Sequence, residues 1–458
     1  MENNEDRRKV LSTKPIGKLL WQFAAPSIIA MSATSIYNFC DSIFIGQGAG
    51  PLAISGLAIT FPLMNISAAF GSLAGTGGAA QTSVYMGMNQ RKIAQFIFGN
   101  VLLLNLCIGI TLSVVGLYFL DPILQLFGAS EATLPYARDY MQIYLCGICI
   151  HHMFLGMSGQ LRAIGYPRLA MTSQVSSVII NIFLDALFIF GFGWGIRGAA
   201  LATVLAQTCG FLATSWFLRS SKNRYVHLSW NILHFNARII GKIISIGLSP
   251  FSVNICGCFI VVVLNHALLE QGGVDGDLCV GANGITNRIT QLIILMVAGF
   301  SQGMQPIVGF NLGANLYHRV RETLILAVTI AIIILTTGYI FVAAFPASLA
   351  SLFTSDQVLI DYCVPALRIS LCTFPFVGSQ LIATAFFQSI RKPGLSMLIS
   401  LSRQLLFLLP LLLILPPIMG VNGVWWSMPI ADVFSITLSI ILLRREYSKL
   451  KNQYITKK

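Results

Sequence analysis

A run of about 20 apolar residues is long enough to cross the hydrocarbon layer of a bilayer as an α-helix, and this chain carries twelve such runs. Windowed hydropathy places them near 19–45, 52–82, 93–119, 134–160, 169–192, 198–218, 239–266, 279–312, 323–346, 358–388, 394–417 and 421–443. Only 10% of the 458 residues are charged, against about a quarter in soluble globular proteins. Mean hydropathy is +0.77. These values exclude the soluble classes and predict an all-α integral membrane protein with twelve transmembrane helices. The second and eighth runs are longer than a bilayer needs and are expected to tilt or project.

The net charge of +13 does not point to nucleic acid, because its distribution follows the membrane. With the N-terminus in the cytoplasm, 24 of the 29 basic residues fall on the cytoplasmic side, from Arg7, Arg8 and Lys9 to Lys457 and Lys458. The opposite loops carry Asp121, Glu131, Glu270, Asp275, Asp277, Asp356 and Asp361. The positive-inside bias predicts a multi-pass membrane protein with both termini cytoplasmic. The polar first 18 residues lead into a span too long for the apolar core of a signal peptide.

The chain also repeats itself. At an offset of 226, Gly77 meets Gly303, Gly87 meets Gly313, Asn89 meets Asn315, Pro167 meets Pro393, Leu169 meets Leu395 and Met171 meets Met397. With a gap of two, Pro26 in the first span meets Pro250 in the seventh. A six-span repeat keeps both halves in one orientation and predicts two pseudo-symmetric six-helix lobes, a transporter arrangement. The expected organisation is a cytoplasmic N-terminal segment (1–18), an N-lobe (19–219), a cytoplasmic linker (220–238), a C-lobe (239–443) and a cytoplasmic tail (444–458). The linker alternates polar residues with Tyr225, Leu228, Trp230, Ile232, Leu233 and Phe235, which suits a helix lying on the inner leaflet.

Carboxylates inside apolar spans cost about 2.5–3.5 kcal/mol at a helix centre and are functional candidates. Asp41, Asp185 and Asp432 qualify. At about 1.5 Å rise per residue, Asp41 and Asp185 both reach the outer half of the membrane. Asn38 and Asn181, three and four residues earlier, share their helix faces, and Thr203 on the sixth span reaches a similar height. Two carboxylates, two amides and a hydroxyl suit a reversible cation site for H⁺ or Na⁺, as an ion-coupled exchanger requires. The plainer alternative is a polar cluster that fixes helix packing. Asp432 and Arg403 lie at matching depths on consecutive spans and are expected to form a buried ion pair. Arg138 and Arg368, near outer helix ends, suit snorkelling.

The second half lacks such acids: the positions equivalent to Asp41 and Asp185 are Asn265 and Leu411. Ion coupling is therefore expected in the first half. The ten cysteines sit mainly in apolar stretches as small hydrophobes, and Cys146-x-x-Cys149 lacks histidines at zinc-site spacing.

Several stretches resemble the multidrug and toxic compound extrusion (MATE) family, over essentially the whole chain. They are Tyr37-Asn38-Phe39-Cys40-Asp41-Ser42-Ile43-Phe44-Ile45-Gly46, Arg162-Ala163-Ile164-Gly165-Tyr166-Pro167-Arg168, Asn181-Ile182-Phe183-Leu184-Asp185 and Gly198-Ala199-Ala200-Leu201-Ala202-Thr203. Ser301-Gln302-Gly303-Met304-Gln305-Pro306-Ile307-Val308-Gly309-Phe310-Asn311 is similar to the MepA-type bacterial branch, which implies a place in a bacterial cell (inner) membrane. The resemblance implies a secondary antiporter, not an enzyme, that exports cationic amphipathic compounds against H⁺ or Na⁺ through a cavity between two lobes. It implies a cation site at Asp41, Asn181, Asp185 and Thr203, with Tyr37 and Asn38 beside it, and a bend at Pro26. Pro250 is its repeat counterpart. Some branches place an acid in the seventh helix, where this chain has Ser252 and Asn254 instead. No cofactor beyond the coupling ion is expected, and no nucleic-acid partner. The expected partners are cationic hydrophobic small molecules and membrane lipid, and the expected state is a monomer.

Two other functions suit twelve spans. A lipid-linked glycan flippase would need a basic cavity for pyrophosphate. An integral membrane transferase would need acidic metal clusters or a His-rich motif, and the six histidines form none. An ATP-driven pump is disfavoured, since neither Gly17-Lys18 nor Gly241-Lys242 sits in a G-x-x-x-x-G-K-[ST] loop.

Overall fold

The computed structural model describes residues 4–220, 225–229 and 232–455, with side chains in the terminal helices described from 7 to 453. Among them every regular element is helical. The helices are α1 (Asn4–Thr13), α2 (Ile16–Ala49), α3 (Pro51–Gly87), α4 (Arg91–Tyr118), α5 (Leu120–Leu126), α6 (Leu134–Ala163), α7 (Pro167–Ala186) and α8 (Gly195–Arg219), then α9 (Ala237–Gly272), α10 (Gly276–Gly313), α11 (Tyr317–Ala344) and α12 (Pro346–Ala350). The last six are α13 (Gln357–Ser370), α14 (Phe374–Ser389), α15 (Pro393–Leu401), α16 (Leu409–Ile414), α17 (Pro416–Met419) and α18 (Val421–Ile455).

The twelve expected spans are all present. Ala237–Gly313 contains a strongly apolar window and reverses at Gly273–Asp275, where Asn283 Nδ2 donates to Asn265 Oδ1 at 3.1 Å across the turn. The tenth span is broken: α13 and α14 are bent by 59°, with Pro375 opening the second piece. The expected lengths of the second and eighth spans hold, at 37 and 38 residues for α3 and α10. Each is roughly 55 Å long at 1.5 Å per residue, well beyond about 30 Å of hydrocarbon. Both terminal segments carry helix, α1 at Asn4–Thr13 and α18 running on to Ile455.

The repeat appears in the backbone itself. Asn89 and its counterpart Asn315 both take the left-handed conformation, at φ 60° and 59°, as do Gly165 and its counterpart Arg391 at 87° and 60°. After α6 and α14 the turn closes in the same way, by Tyr166 N donating to Leu161 O at 2.8 Å and Lys392 N to Phe387 O at 2.9 Å. These are the 6→1 bonds of a helix stop, and Pro167 and Pro393 then start the next helix without an orphan N–H.

Two compact units divide the chain, 1–251 with 309–315, and 252–308 with 316–458. In the first, α3 touches residues 237–251 and 309–315 backbone to backbone. A Cβ on Gly87 would stand 2.1 Å from Phe310 O, and one on Gly313 would stand 2.0 Å from Val84 O. Gly77 and Gly247 meet in the same way, through Ile243 O and Leu73 O. Small residues permit such approach between membrane helices, where dispersion rather than hydrophobic exclusion holds them together. The described part of the linker, 225–229 with 232–236, is strapped to α3 and α4 rather than laid out as an α-helix. Tyr225, Val226 and Ile232 are buried, Asn236 N donates to Asn100 Oδ1 at 2.9 Å, and Tyr225 Oη donates to Tyr85 O at 3.1 Å. Burial pushes the Tyr225 phenol up to about 12, outweighing Arg8 and Arg91. Trp230 lies outside the described residues.

In the second unit the expected ion pair is formed. Arg403 Nε donates to Asp432 Oδ1 at 2.6 Å, and Thr373 Oγ1, at the break before α14, donates to Oδ2 at 3.0 Å. Arg403 lies in a π-helical stretch, 402–408. In the first unit Arg138 grips both oxygens of Asp121.

Two outcomes follow from this packing. Gly87→Val or Gly313→Val should destabilise the protein by about 1–3 kcal/mol through overpacking. Gly394→Val, where a Cβ meets nothing within 4 Å, should cost far less in the same detergent melt. Asp432→Ala should cost about 3–5 kcal/mol by stranding the guanidinium, and exchanging Arg403 with Asp432 should recover part of that loss.

Candidate functional site in the first unit

Asp41 on α2 and Asp185 at the end of α7 are 5% and 0% exposed. They lie within electrostatic reach of one another. Both are turned away from lipid, in the same unit, as an exchange site requires. The backbone after Asp185 leaves the α-helix for a π-helical turn, Leu187–Gly191, a feature common beside functional residues. Asn181, one turn before Asp185, is also buried, and its Nδ2 donates to Thr203 Oγ1 of α8 at 3.4 Å. Tyr37, one turn before Asp41, shares a hydrogen bond of 3.1 Å with the same Thr203 hydroxyl. Thr203 thereby joins α2, α7 and α8 at one point.

Four oxygens at this point are buried without a hydrogen-bond partner among the described residues: Asp41 Oδ1, both carboxylate oxygens of Asp185, and Asn181 Oδ1. Buried polar atoms are paired in the great majority of cases, so four together ask for a ligand. All four are acceptors, and the groups that satisfy acceptors are protons and cations. The residues present therefore fit a bound H⁺ or an oxygen-coordinated Na⁺.

Beside them lies a chamber of about 190 Å³ within the same unit, whose wall includes Tyr37, Asn38, Asn181, Thr203, Tyr144 and His151. Neither carboxylate is on that wall. Asn38 is, and is exposed, so it faces the chamber rather than sharing the buried face of Asp41. Three residues of α6 complete the surroundings and went unnoticed in the sequence. Tyr140 and Tyr144 stack at 6.3 Å, and Tyr144 meets His151 at 6.2 Å. Their i, i+4, i+11 spacing is one helical face, a pattern that could have flagged them. His152 turns elsewhere, 3.1 Å from Ser67 Oγ.

Pro26 is buried within α2, which is helical from Ile16 to Ala49, and Pro250 lies within α9. Arg403 and Asp432 belong to the second unit. There the counterpart of Asp41, Asn265, accepts from Asn283. No cluster of three or more His, Cys, Asp or Glu occurs among the described residues, and Cys146 and Cys149 are free thiols.

Comparison with known proteins agrees with this architecture. Multidrug export protein MepA of Staphylococcus aureus (strain NCTC 8325 / PS 47) is 26% identical over 440 residues, 94% of each chain. MepA of Staphylococcus haemolyticus (strain JCSC1435) is 27% identical over 432 residues, 93% of each. Among solved structures, an outward-facing multidrug resistance MATE family transporter of the MOP superfamily superposes with a TM-score of 0.90 at 24% identity, covering 97% of this chain and 98% of that one. A MATE transporter in the bent conformation gives 0.91 with the same coverage and identity. A Pyrococcus furiosus MOP superfamily transporter, described as having a binding pocket of reversed polarity that suggests a different function, also gives 0.90 at 24% identity, covering 97% and 98%. These likenesses show the fold. The MatE family model matches residues 26–187 and 246–414, well over half of the sequence, and the chain belongs to the MatE family of membrane transporters.

Proposed function

We propose that this transporter exports cationic amphipathic small molecules in exchange for H⁺ or Na⁺ bound at Asp41 and Asp185. The observation that carries the reading is the set of four buried acceptor oxygens on Asp41, Asp185 and Asn181 without a hydrogen-bond partner among the described residues. A carboxylate in that position holds a cation or stays costly to bury. Binding the coupling ion from one side and releasing it on the other links the site to a change of state, because an ion shifts a conformational equilibrium only by its differential affinity for the two states.

The adjoining chamber supports the substrate class. Aromatic faces at Tyr37, Tyr144 and Phe61 offer cation–π contacts, and Met64 offers an adaptable sulfur edge. Among the described residues no Lys or Arg is on that wall, which does include His151, and a pyrophosphate-bearing lipid would ask for a basic lining. The export of multiple drugs by the staphylococcal MepA proteins favours the same assignment. Both termini are assigned to the cytoplasm, on the side favoured by the basic loops.

The test is uptake of a fluorescent organic cation into everted vesicles, with pH and sodium gradients imposed separately. Wild type should respond to one or both gradients. Asp41→Asn and Asp185→Asn should each bring gradient-driven uptake down to that of vesicles without the protein, at unchanged membrane abundance. Normal uptake by both variants would refute the assignment.

A further inference from the structure

The repeat carries the wall of the first-unit chamber onto the second unit. At the offset of 226, α3 and α10 end in step at Gly87 and Gly313, α7 and α15 begin in step at Pro167 and Pro393, and α8 and α18 begin in step at Gly195 and Val421. Four residues of the chamber wall, Phe61, Asn65, Ser177 and Ala206, therefore correspond to Asn287, Gln291, Arg403 and Asp432. The match extends to contacts. Ser177 Oγ donates to Ala206 O at 2.9 Å, and at the same two positions Arg403 Nε donates to Asp432 Oδ1 at 2.6 Å. We infer that these counterparts form a second cargo site, within the second unit, that binds the carboxylate of a zwitterionic amphipathic compound. The inference rests on the proposed transport of amphipathic organic cations and widens that cargo to zwitterions.

The free charge of the site is on α10. Asn287, Arg288 and Gln291 are all exposed and share one face of that helix. The Asn265–Asn283 hydrogen bond sets α9 against α10 in register. Five residues inward from each partner, Arg288 stands level with Ile260, whose neighbours Phe259 and Val261 are 53% and 46% exposed and mark hydrocarbon depth. Ionisable residues at such depth face water or the protein interior rather than acyl chains. Arg288 makes neither an ion pair nor a hydrogen bond among the described residues.

Arg403 supplies the fork. It commits Nε to Asp432, while its two terminal amino groups make no hydrogen bond among the described residues, and its side chain is 30% exposed. Asp432 is fully engaged, with Oδ1 on Arg403 and Oδ2 on Thr373, so the guanidinium plane is fixed from behind. The parallel N–H groups of a fixed guanidinium match the two oxygens of a carboxylate. Arg403 and Asp432 cancel in charge, and Arg288 leaves one positive charge over, the complement of one carboxylate. Asn287 and Gln291 add neutral amide donors on the same face. The first-unit wall has no Lys or Arg among the described residues, so the two halves bind groups of opposite sign.

Fluorescence polarisation of two related dyes on the purified full-length protein tests this: rhodamine 6G, an ethyl ester with one positive charge, and rhodamine 19, its free acid and a zwitterion. Wild type should bind both. Arg288→Gln should weaken binding of the acid relative to the ester by roughly tenfold, equivalent to about 1.4 kcal/mol, and Arg288→Lys should keep most of the acid's affinity. Replacing Arg403 and Asp432 together by Leu removes the fork without stranding a charge and should shift the ratio in the same direction. If that double variant does not fold, Gln291→Leu takes its place. Equal losses for the two dyes, or a ratio unchanged by every variant, would overturn the inference. A wild type that binds the ester and not the acid would overturn it while leaving the export of cations standing. A wild type that binds neither dye would count against the export reading itself, and against this site with it.

Discussion

Hydrocarbon does not solvate charge, and the rest of this molecule is arranged around that fact. Deep ionisable groups cost several kcal/mol unless paired, and in the second unit Asp432 is covered by Arg403 and Thr373. Near the end of α18, buried Glu446 is likewise paired with Lys392. At the ends of spans in the first unit, Asp121 holds Arg138 and Asp139 holds Arg197. Asp41 and Asp185 depart from this rule: they are about as buried as Asp432, and Asp41 Oδ1 and both oxygens of Asp185 have no hydrogen-bond partner among the described residues. An expensive arrangement persists only where a ligand completes it for part of the working cycle, which is the physical content of the exchange reading.

The repeat sets where such a departure can occur. Both halves reproduce their turns down to the sign of φ at Asn89 and Asn315, although a left-handed backbone is uncommon outside glycine. At Gly165 and Arg391 the conformation persists even though the residue does not, so backbone geometry has outlasted side-chain identity. Chemistry diverged on this shared frame. The Asp41 position became Asn265, which spends its oxygen on Asn283 to close the α9–α10 turn. A side chain committed to holding a turn is unavailable for a cation, so one half keeps the acids and the other keeps the staple.

Much of this was legible in the sequence because hydropathy and depth are one-dimensional quantities. Counting residues from a cytoplasmic arginine placed Arg403 level with Asp432, and a pair followed. Counting likewise brought Asp41, Asn181, Asp185 and Thr203 to one height. What counting misses is azimuth, the direction a residue faces around its helix. Asn38, three residues from Asp41, was expected on the same face, yet it is exposed while Asp41 is buried. The π-helical turns at Leu187–Gly191 and Ser402–Leu408 rotate everything after them without leaving a mark in composition. The linker shows a different limit. Its alternation of polar and apolar residues fits an interfacial helix, but Asn100 and Gln95 of α4 supply hydrogen-bond partners for an irregular backbone, and those partners lie more than 130 residues away.

The layer between chamber and carboxylates bears on how exchange would work. Tyr37, Asn181 and Thr203 stand on the chamber wall, while Asp41 and Asp185 do not. On the proposed reading, an organic cation in the chamber need not displace the coupling ion by occupying its position. Each can act on the Tyr37–Thr203 bond, which ties α2 to α8 across the wall. A compound drawing on the Tyr37 hydroxyl from one side competes for it with the field of Asp41 and Asp185 on the other, since both carboxylates act on that phenol. Antiport then requires only that the two occupants favour different positions of α2, the helix that carries both Tyr37 and Asp41 and contains Pro26. Direct overlap of the two ligands is not needed, so a transporter of this design can accept cargo of varied shape without remodelling its ion site.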